Sequence, residues 1–230
     1  PAPLHATDLN GVRLPDNCMA KEGPHRVFIL GDWGGLLGPL GPKPARQRAK
    51  KMLVAGIDDR PQQRVAEQMR ARAAANRPDY VINVGDSFYW AGLDTTCGAP
   101  AYKIISTGQL ERNFEQVYNG PGLDGVPWLG ILGNHDYGGY LFNKGWDQLI
   151  SYTWKPGGRW LMPAQYWRST VRYPDFSVDY FFLDTNVFDA EEPHADPEHN
   201  ICSLENNPTN ASCGAEGPTS VWDCPKWFRR

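Results

Sequence analysis

Pro127-Trp-Leu-Gly-Ile-Leu-Gly-Asn-His-Asp136 is the stretch that decides how this chain folds. Its first six residues form a short apolar run, as a buried strand requires, and Gly133 then releases the backbone into the polar trio Asn134, His135 and Asp136. Two earlier stretches repeat the pattern. Residues 25–30 (His-Arg-Val-Phe-Ile-Leu) run into Gly31-Asp32, and residues 79–84 (Asp-Tyr-Val-Ile-Asn-Val) run into Gly85-Asp86. Between these two lies a Gly/Pro-rich loop over 34–44, followed by residues 62–76, which are rich in Ala, Gln, Arg and Met and begin beside Pro61. Their spacing predicts a crossover helix with Val65, Met69 and Ala73 on one face. Residues 109–118 and 146–154 predict shorter helices. Residues 166–173 and 176–183 alternate in polarity and predict a hairpin through Pro174-Asp175. Strands interleaved with helices, then consecutive strands, place the chain in the mixed α/β class. Residues 187–220 read as a long surface loop, and a last helix opens after Ser220 with Pro225 in its first turn.

The 230 residues, 41% of them hydrophobic, suffice for one core, so a single domain over 1–230 is expected. A net charge of −3 offers no excess of cations for a phosphate backbone, and no nucleic-acid partner is expected. The local cluster Lys43, Arg46, Arg48, Lys50 and Lys51 reads as a solvated loop or helix face. No apolar run approaches the roughly 20 residues that span a bilayer, so no membrane span is expected. The numbering opens on Pro1 without a charged and then apolar leader, which reads as a processed or partial chain. Five cysteines have no C-x-x-C spacing, against a zinc knuckle or thioredoxin-type motif. Three of them crowd into 202–224 beside the glycosylation sequon Asn210-Ala211-Ser212, while Asn207-Pro208-Thr209 is blocked by its proline. Together they predict a disulfide-containing glycoprotein, secreted or lumenal, with the pairing left open.

Three strand ends thus deliver Asp32, Asp86 with Tyr89, and Asn134 with His135 to one edge of a sheet, where ligands of open α/β sheets bind. Singly each has a bland reading: an aspartate that caps its own turn, a rim tyrosine, a hydrogen-bonded structural histidine. In order, they suit hydrolysis at phosphorus with two metal ions. Carboxylate, phenolate and amide oxygens favour hard cations, and imidazole adds affinity for zinc or ferrous iron. Two such ions can share a carboxylate and activate water, and a neighbouring histidine can protonate the leaving group.

Gly31-Asp32-Trp33-Gly34-Gly35, Gly85-Asp86-Ser87-Phe88-Tyr89-Trp90-Ala91-Gly92 and Gly133-Asn134-His135-Asp136-Tyr137 resemble the first three blocks of the calcineurin-like metallophosphoesterases. The tyrosine three residues after the second aspartate narrows the resemblance to purple acid phosphatases. Arg159-Trp-Leu-Met-Pro-Ala-Gln-Tyr-Trp-Arg168 and Phe181-Phe-Leu-Asp-Thr185 are similar to their small, tartrate-resistant branch. The resemblance implies mixed β-sheets packed together and flanked by helices. It also implies a dinuclear centre of Fe(III) plus a divalent ion (Fe, Zn or Mn). Asp32 and Tyr89 would bind the ferric ion, Asp86 would bridge, Asn134 would bind the second ion, and His135 would act as proton donor or phosphate contact. The long loop after Thr185 is similar in position to a mobile loop over the family's active site. The family's Val-x-x-His and Gly-His-x-His blocks are not matched by His5, His25, His135, His194 or His199, so a fold incomplete at its C-terminus is expected. His194 and His199 read as solvated loop histidines, with adventitious metal binding as the alternative. The implied activity is acid phosphatase hydrolysis of phosphomonoesters by a metal-bound hydroxide. A non-catalytic structural or interaction subunit is the alternative. The implied partners are the phosphomonoester and either a C-terminal fragment of the same protein or a larger assembly.

Overall fold

A computed structural model describes residues 1–34, 60–103 and 107–230 of the chain. The Gly/Pro-rich loop, apart from Gly34, lies outside the described residues, as do Gly35 and the cluster Lys43, Arg46, Arg48, Lys50 and Lys51. Two four-stranded sheets form the body. Short strands β1 (Val12–Arg13) and β2 (Asn17–Cys18) come first, followed by β3 (Val27–Leu30). Helix α1 (Pro61–Asn76) leads to β4 (Tyr80–Asn83), and β5 is Trp128–Gly130. Helix α2 (Trp146–Ser151) precedes β6 (Trp160–Leu161), β7 (Tyr166–Arg172), β8 (Ser177–Leu183) and α3 (Cys224–Phe228).

The first sheet has the order β3-β4-β5-β6 and is parallel throughout, with Leu30 opposite Asn83 and Asn83 opposite Gly130. That register aligns the exits of β3, β4 and β5, so the residues following them meet at one edge. In the second sheet β7 pairs antiparallel with β8, Tyr166 opposite Leu183, and parallel with β1 and β2. The alternation along β4 divides the core. Val81 packs with Trp128, Trp33 and Phe114 on one side, and Tyr80 packs with Leu129, Trp167 and Phe182 on the other. Core residues therefore lie on both faces of the parallel sheet, while Ile29 on its edge strand β3 is exposed among the described residues. The Trp167 and Phe182 rings stack at 4.1 Å, and Tyr80 Oη lies 2.9 Å from Tyr173 Oη and 2.8 Å from Tyr180 Oη.

Several expectations shift. In α1, Pro61 occupies the first turn, where a missing N–H costs nothing, and Arg77 ends the helix in a left-handed conformation. The buried stripe is Gln62, Ala66, Met69 and Ala73, whereas Val65, expected inside, is exposed. Small Ala66 and Ala73 let the helix sit close to its neighbours, which rotates the buried face by one position from the apolar count. Residues 109–118 are helical from the start, α-helical at 109–110 and π-helical over Glu111–Glu115, and 146–154 divide into α2 and a 3-10 turn, Tyr152–Trp154. Strands β1, β2 and β6 were not expected; each has only two residues, too few for a period to register. Residues 187–220 contain no strand but contribute Ala190, Ile201, Cys202, Ala211 and Cys213 to the core. Disulfides Cys97–Cys213 and Cys202–Cys224 fasten them, and Cys18 is free and exposed.

Candidate metal centre

The exits of β3 and β4 are built alike. Asp32 and Asp86 both take φ 54°, a left-handed conformation uncommon outside glycine, so both side chains swing off the strand direction toward the same edge. Backbone bonds lace the two turns together: Asp32 N donates to Gly85 O at 3.2 Å, and Tyr89 N donates to Gly34 O at 3.0 Å. A Cβ on Gly34 would lie 1.8 Å from Ser87 O, so only glycine permits this approach. The third exit closes in the same way. A Cβ on Gly133 would lie 2.2 Å from Asp86 Oδ1, and His135 N donates to that oxygen at 2.9 Å.

The phenolic oxygen of Tyr89 lies 2.5 Å from Asp32 Oδ1 and 2.8 Å from Asp86 Oδ2. One phenol proton is shared between two carboxylates. Burial, then the bonds to Asp32 and Asp86, push the Tyr89 hydroxyl above its ordinary range. Three hard oxygens converging on so small a volume are the donor set a highly charged cation selects, and such an ion would displace that proton. Among the described residues, no three His, Cys, Asp or Glu side chains come together as a metal cage. The convergence is therefore two carboxylates and a phenol, with the Asn134 amide in the same cleft. That cleft encloses about 320 Å³, and Asp32, Asp86, Asn134, Leu183, Asp189 and His199 are among the residues that line it.

His135 packs its ring 4.2 Å from that of Tyr89 and brings Nδ1 within 2.6 Å of Trp90 O. A carbonyl only accepts, so Nδ1 carries the hydrogen and Nε2 is the nitrogen left for a ligand. Trp90 itself is exposed beside it, 5.5 Å from the His135 ring. All five expected residues are thus in one region: Asp32, Asp86 and Tyr89 bonded together, Asn134 in the cleft wall, His135 against Tyr89.

Residues not singled out from the sequence hold this arrangement. Asp136 is fully buried; Oδ1 accepts Ser87 N at 2.8 Å and Oδ2 accepts Gly133 N at 2.9 Å, clamping the second turn to the third. Burial pushes its carboxyl up to about 8, with the nearby Asp86 charge adding to the rise and the bound N–H groups opposing it. Asn83, also buried, accepts from Trp33 Nε1 at 2.8 Å and Gly85 N at 3.2 Å, and donates to Ser87 Oγ at 3.1 Å. Its signal was legible, since a lone amide in the apolar run 79–84 needs partners. At the end of β8, Asp184 accepts from Tyr137 Oη at 2.6 Å, tying the second sheet to the Gly-Asn-His-Asp turn. Of the loop histidines, His194 is exposed against Trp222, 5.4 Å between rings. His199 is exposed, as expected of a solvated loop histidine, and is also among the residues that line the cleft.

A family model described as calcineurin-like phosphoesterase matches residues 25–212. Tartrate-resistant acid phosphatase type 5 of Rattus norvegicus is 26% identical over 171 residues, 74% of this chain and 43% of that protein. The Homo sapiens protein of the same name is 28% identical over 179 residues, 77% of this chain and 46% of its own. Purple acid phosphatase 7 of Arabidopsis thaliana is 32% identical over 186 residues, 81% of this chain and 44% of its own. The chain matches less than half the length of each of these relatives.

Proposed function

Because the chain belongs to the calcineurin-like phosphoesterase family, we propose that its strand-end residues are part of a dinuclear metal site that hydrolyses phosphomonoesters as an acid phosphatase does. The observation that carries this reading is the meeting of Tyr89 Oη with the carboxylates of Asp32 and Asp86. Asp32 and Tyr89 would hold Fe(III), Asp86 would bridge, and Asn134 would hold a divalent Fe, Zn or Mn. When bound, the two ions activate a water for attack and neutralise phosphoryl oxygens.

The chain's own residues would do the remainder. Asp136 and Asn83 keep the three turns in register, so the ligand oxygens are positioned before any substrate arrives. The Trp90 carbonyl holds the His135 ring by Nδ1, which leaves Nε2 to contact phosphate or, when protonated, to give its proton to the leaving alkoxide. Such proton transfer is worth about 10² to 10⁴ in rate. The disulfides and the exposed sequon residue Asn210 support a secreted or lumenal glycoprotein.

Metal analysis and visible spectroscopy of the full-length protein test the proposal. The expected result is iron plus a second metal, phosphomonoester hydrolysis, and a visible phenolate-to-iron band that Tyr89→Phe abolishes. A metal-free, colourless and inactive full-length protein overturns it.

A further inference from the structure

The segment after β8 is a built strap rather than a slack loop. It begins with the 3-10 turn Thr185–Asp189, capped by Asp184, whose carboxylate accepts Asn186 N at 3.0 Å. Ile201 N donates to Asp189 O at 2.9 Å and closes the base of the strap. Inside it, the fully buried Asn200 accepts from Glu191 N at 3.3 Å and Cys202 N at 2.9 Å and donates to Glu192 O at 3.1 Å. Phe142 N donates to Ile201 O at 3.3 Å, and Asn207 Nδ2 donates to Tyr140 O at 3.0 Å, so the strap is sewn to the chain just beyond the Gly-Asn-His-Asp turn. The Cys202–Cys224 disulfide completes the anchoring.

These bonds hold the backbone that follows His199. His199 itself takes φ 60°, which a non-glycine residue keeps only when its surroundings impose it, and its ring stands edge-on to Tyr140 at 5.8 Å. His199 lines the cleft together with Asp32, Asp86 and Asp189. A phosphate entering there needs hydrogen-bond donors. Four lining residues carry them on their side chains: Asn134, Thr185, Asn186 and His199, the last with the imidazole as the one group able to bear a positive charge. The Asn186 amide is engaged with Asp184 Oδ1 at 2.6 Å, and Asn134 is assigned above to a metal. The His199 ring nitrogens take no hydrogen bond among the described residues, and an imidazole presents an N–H in either protonation state.

We propose that His199 is a substrate-contacting residue, its imidazole donating a hydrogen bond to a phosphate oxygen of the phosphomonoester held in the cleft. This rests on the phosphohydrolase reading of the same site. The full-length, metal-loaded protein is titrated with inorganic phosphate by calorimetry, and its kinetics and metal content are measured in parallel. His199→Ala is expected to weaken phosphate binding and raise KM by about tenfold, with kcat within about twofold and metal content unchanged. His199→Gln, which restores an N–H donor, is expected to recover most of the loss. Unchanged phosphate affinity in His199→Ala overturns the contact, and so does loss of metal, which would make His199 a ligand. His199-dependent phosphate binding without hydrolysis leaves the contact standing and overturns the phosphohydrolase reading. Hydrolysis with phosphate affinity indifferent to His199 does the reverse.

Discussion

Asp136 organises the site without facing it. Its two carboxylate oxygens accept the N–H groups of Ser87 and Gly133, one from each of the turns that deliver Asp86 and Asn134. Asp136→Ala orphans both donors, and a buried donor left unpaired costs about 1–3 kcal/mol, so the unfolding free energy should fall by about 2–5 kcal/mol in urea titration. Asp175→Ala, at the exposed hairpin turn, should leave it within about 0.5 kcal/mol. A similar loss in both variants would show that the clamp carries no particular weight. Asp32, Asp86 and Asn134 stand out in the sequence because each directly follows an apolar run that ends in glycine, and Tyr89 and His135 stand three and one residues further on. Asp136 stands in the same tetrad, yet a sequence does not reveal which of three consecutive polar side chains turns inward.

At the scale of the element, α1 separates what periodicity gives from what packing decides. The helix was predicted over 62–76 and spans Pro61–Asn76, but its buried stripe runs through Ala66 rather than Val65. An apolar count favours the larger side chain, whereas close approach of a helix favours the smaller. Val65→Lys should therefore leave the thermal midpoint nearly unchanged, while Ala66→Leu, which overfills a fully buried position, should cost about 1–3 kcal/mol. The opposite order of effects would restore the stripe through Val65. The hairpin of β7 and β8 was fully legible because seven residues on each strand give the alternation room to show. Strands β1, β2 and β6 exist only because a longer neighbour pairs with them.

At the scale of the molecule, distant segments are pinned together. Glu216, almost wholly buried, accepts Ala6 N at 3.0 Å and contacts His5 Nδ1 at 2.8 Å, fastening the N-terminal segment to the Gly214–Glu216 turn. The hydrogen bond to Glu216 raises the His5 pKa above its ordinary value, with burial opposing and the charges of Glu216 and Asp8 assisting. The folded value thus lies above the unfolded one, near 6.5, so this stabilisation is fully present below about pH 6.5 and is lost as the pH rises through the raised value. The thermal midpoint should fall over that window in the parent protein, and His5→Gln should remove that part of the slope. An identical slope in both would discard the pin. The sequence by itself determined the α/β order, the three glycine-terminated strands and the five residues they deliver, because strand period and turn chemistry are local properties. Only the tertiary structure decided the Cys97–Cys213 and Cys202–Cys224 pairing, the inward turn of Asp136 and the arrival of His199 in the cleft. Each of these joins segments far apart in the chain, and no local pattern encodes which distant residue will be near.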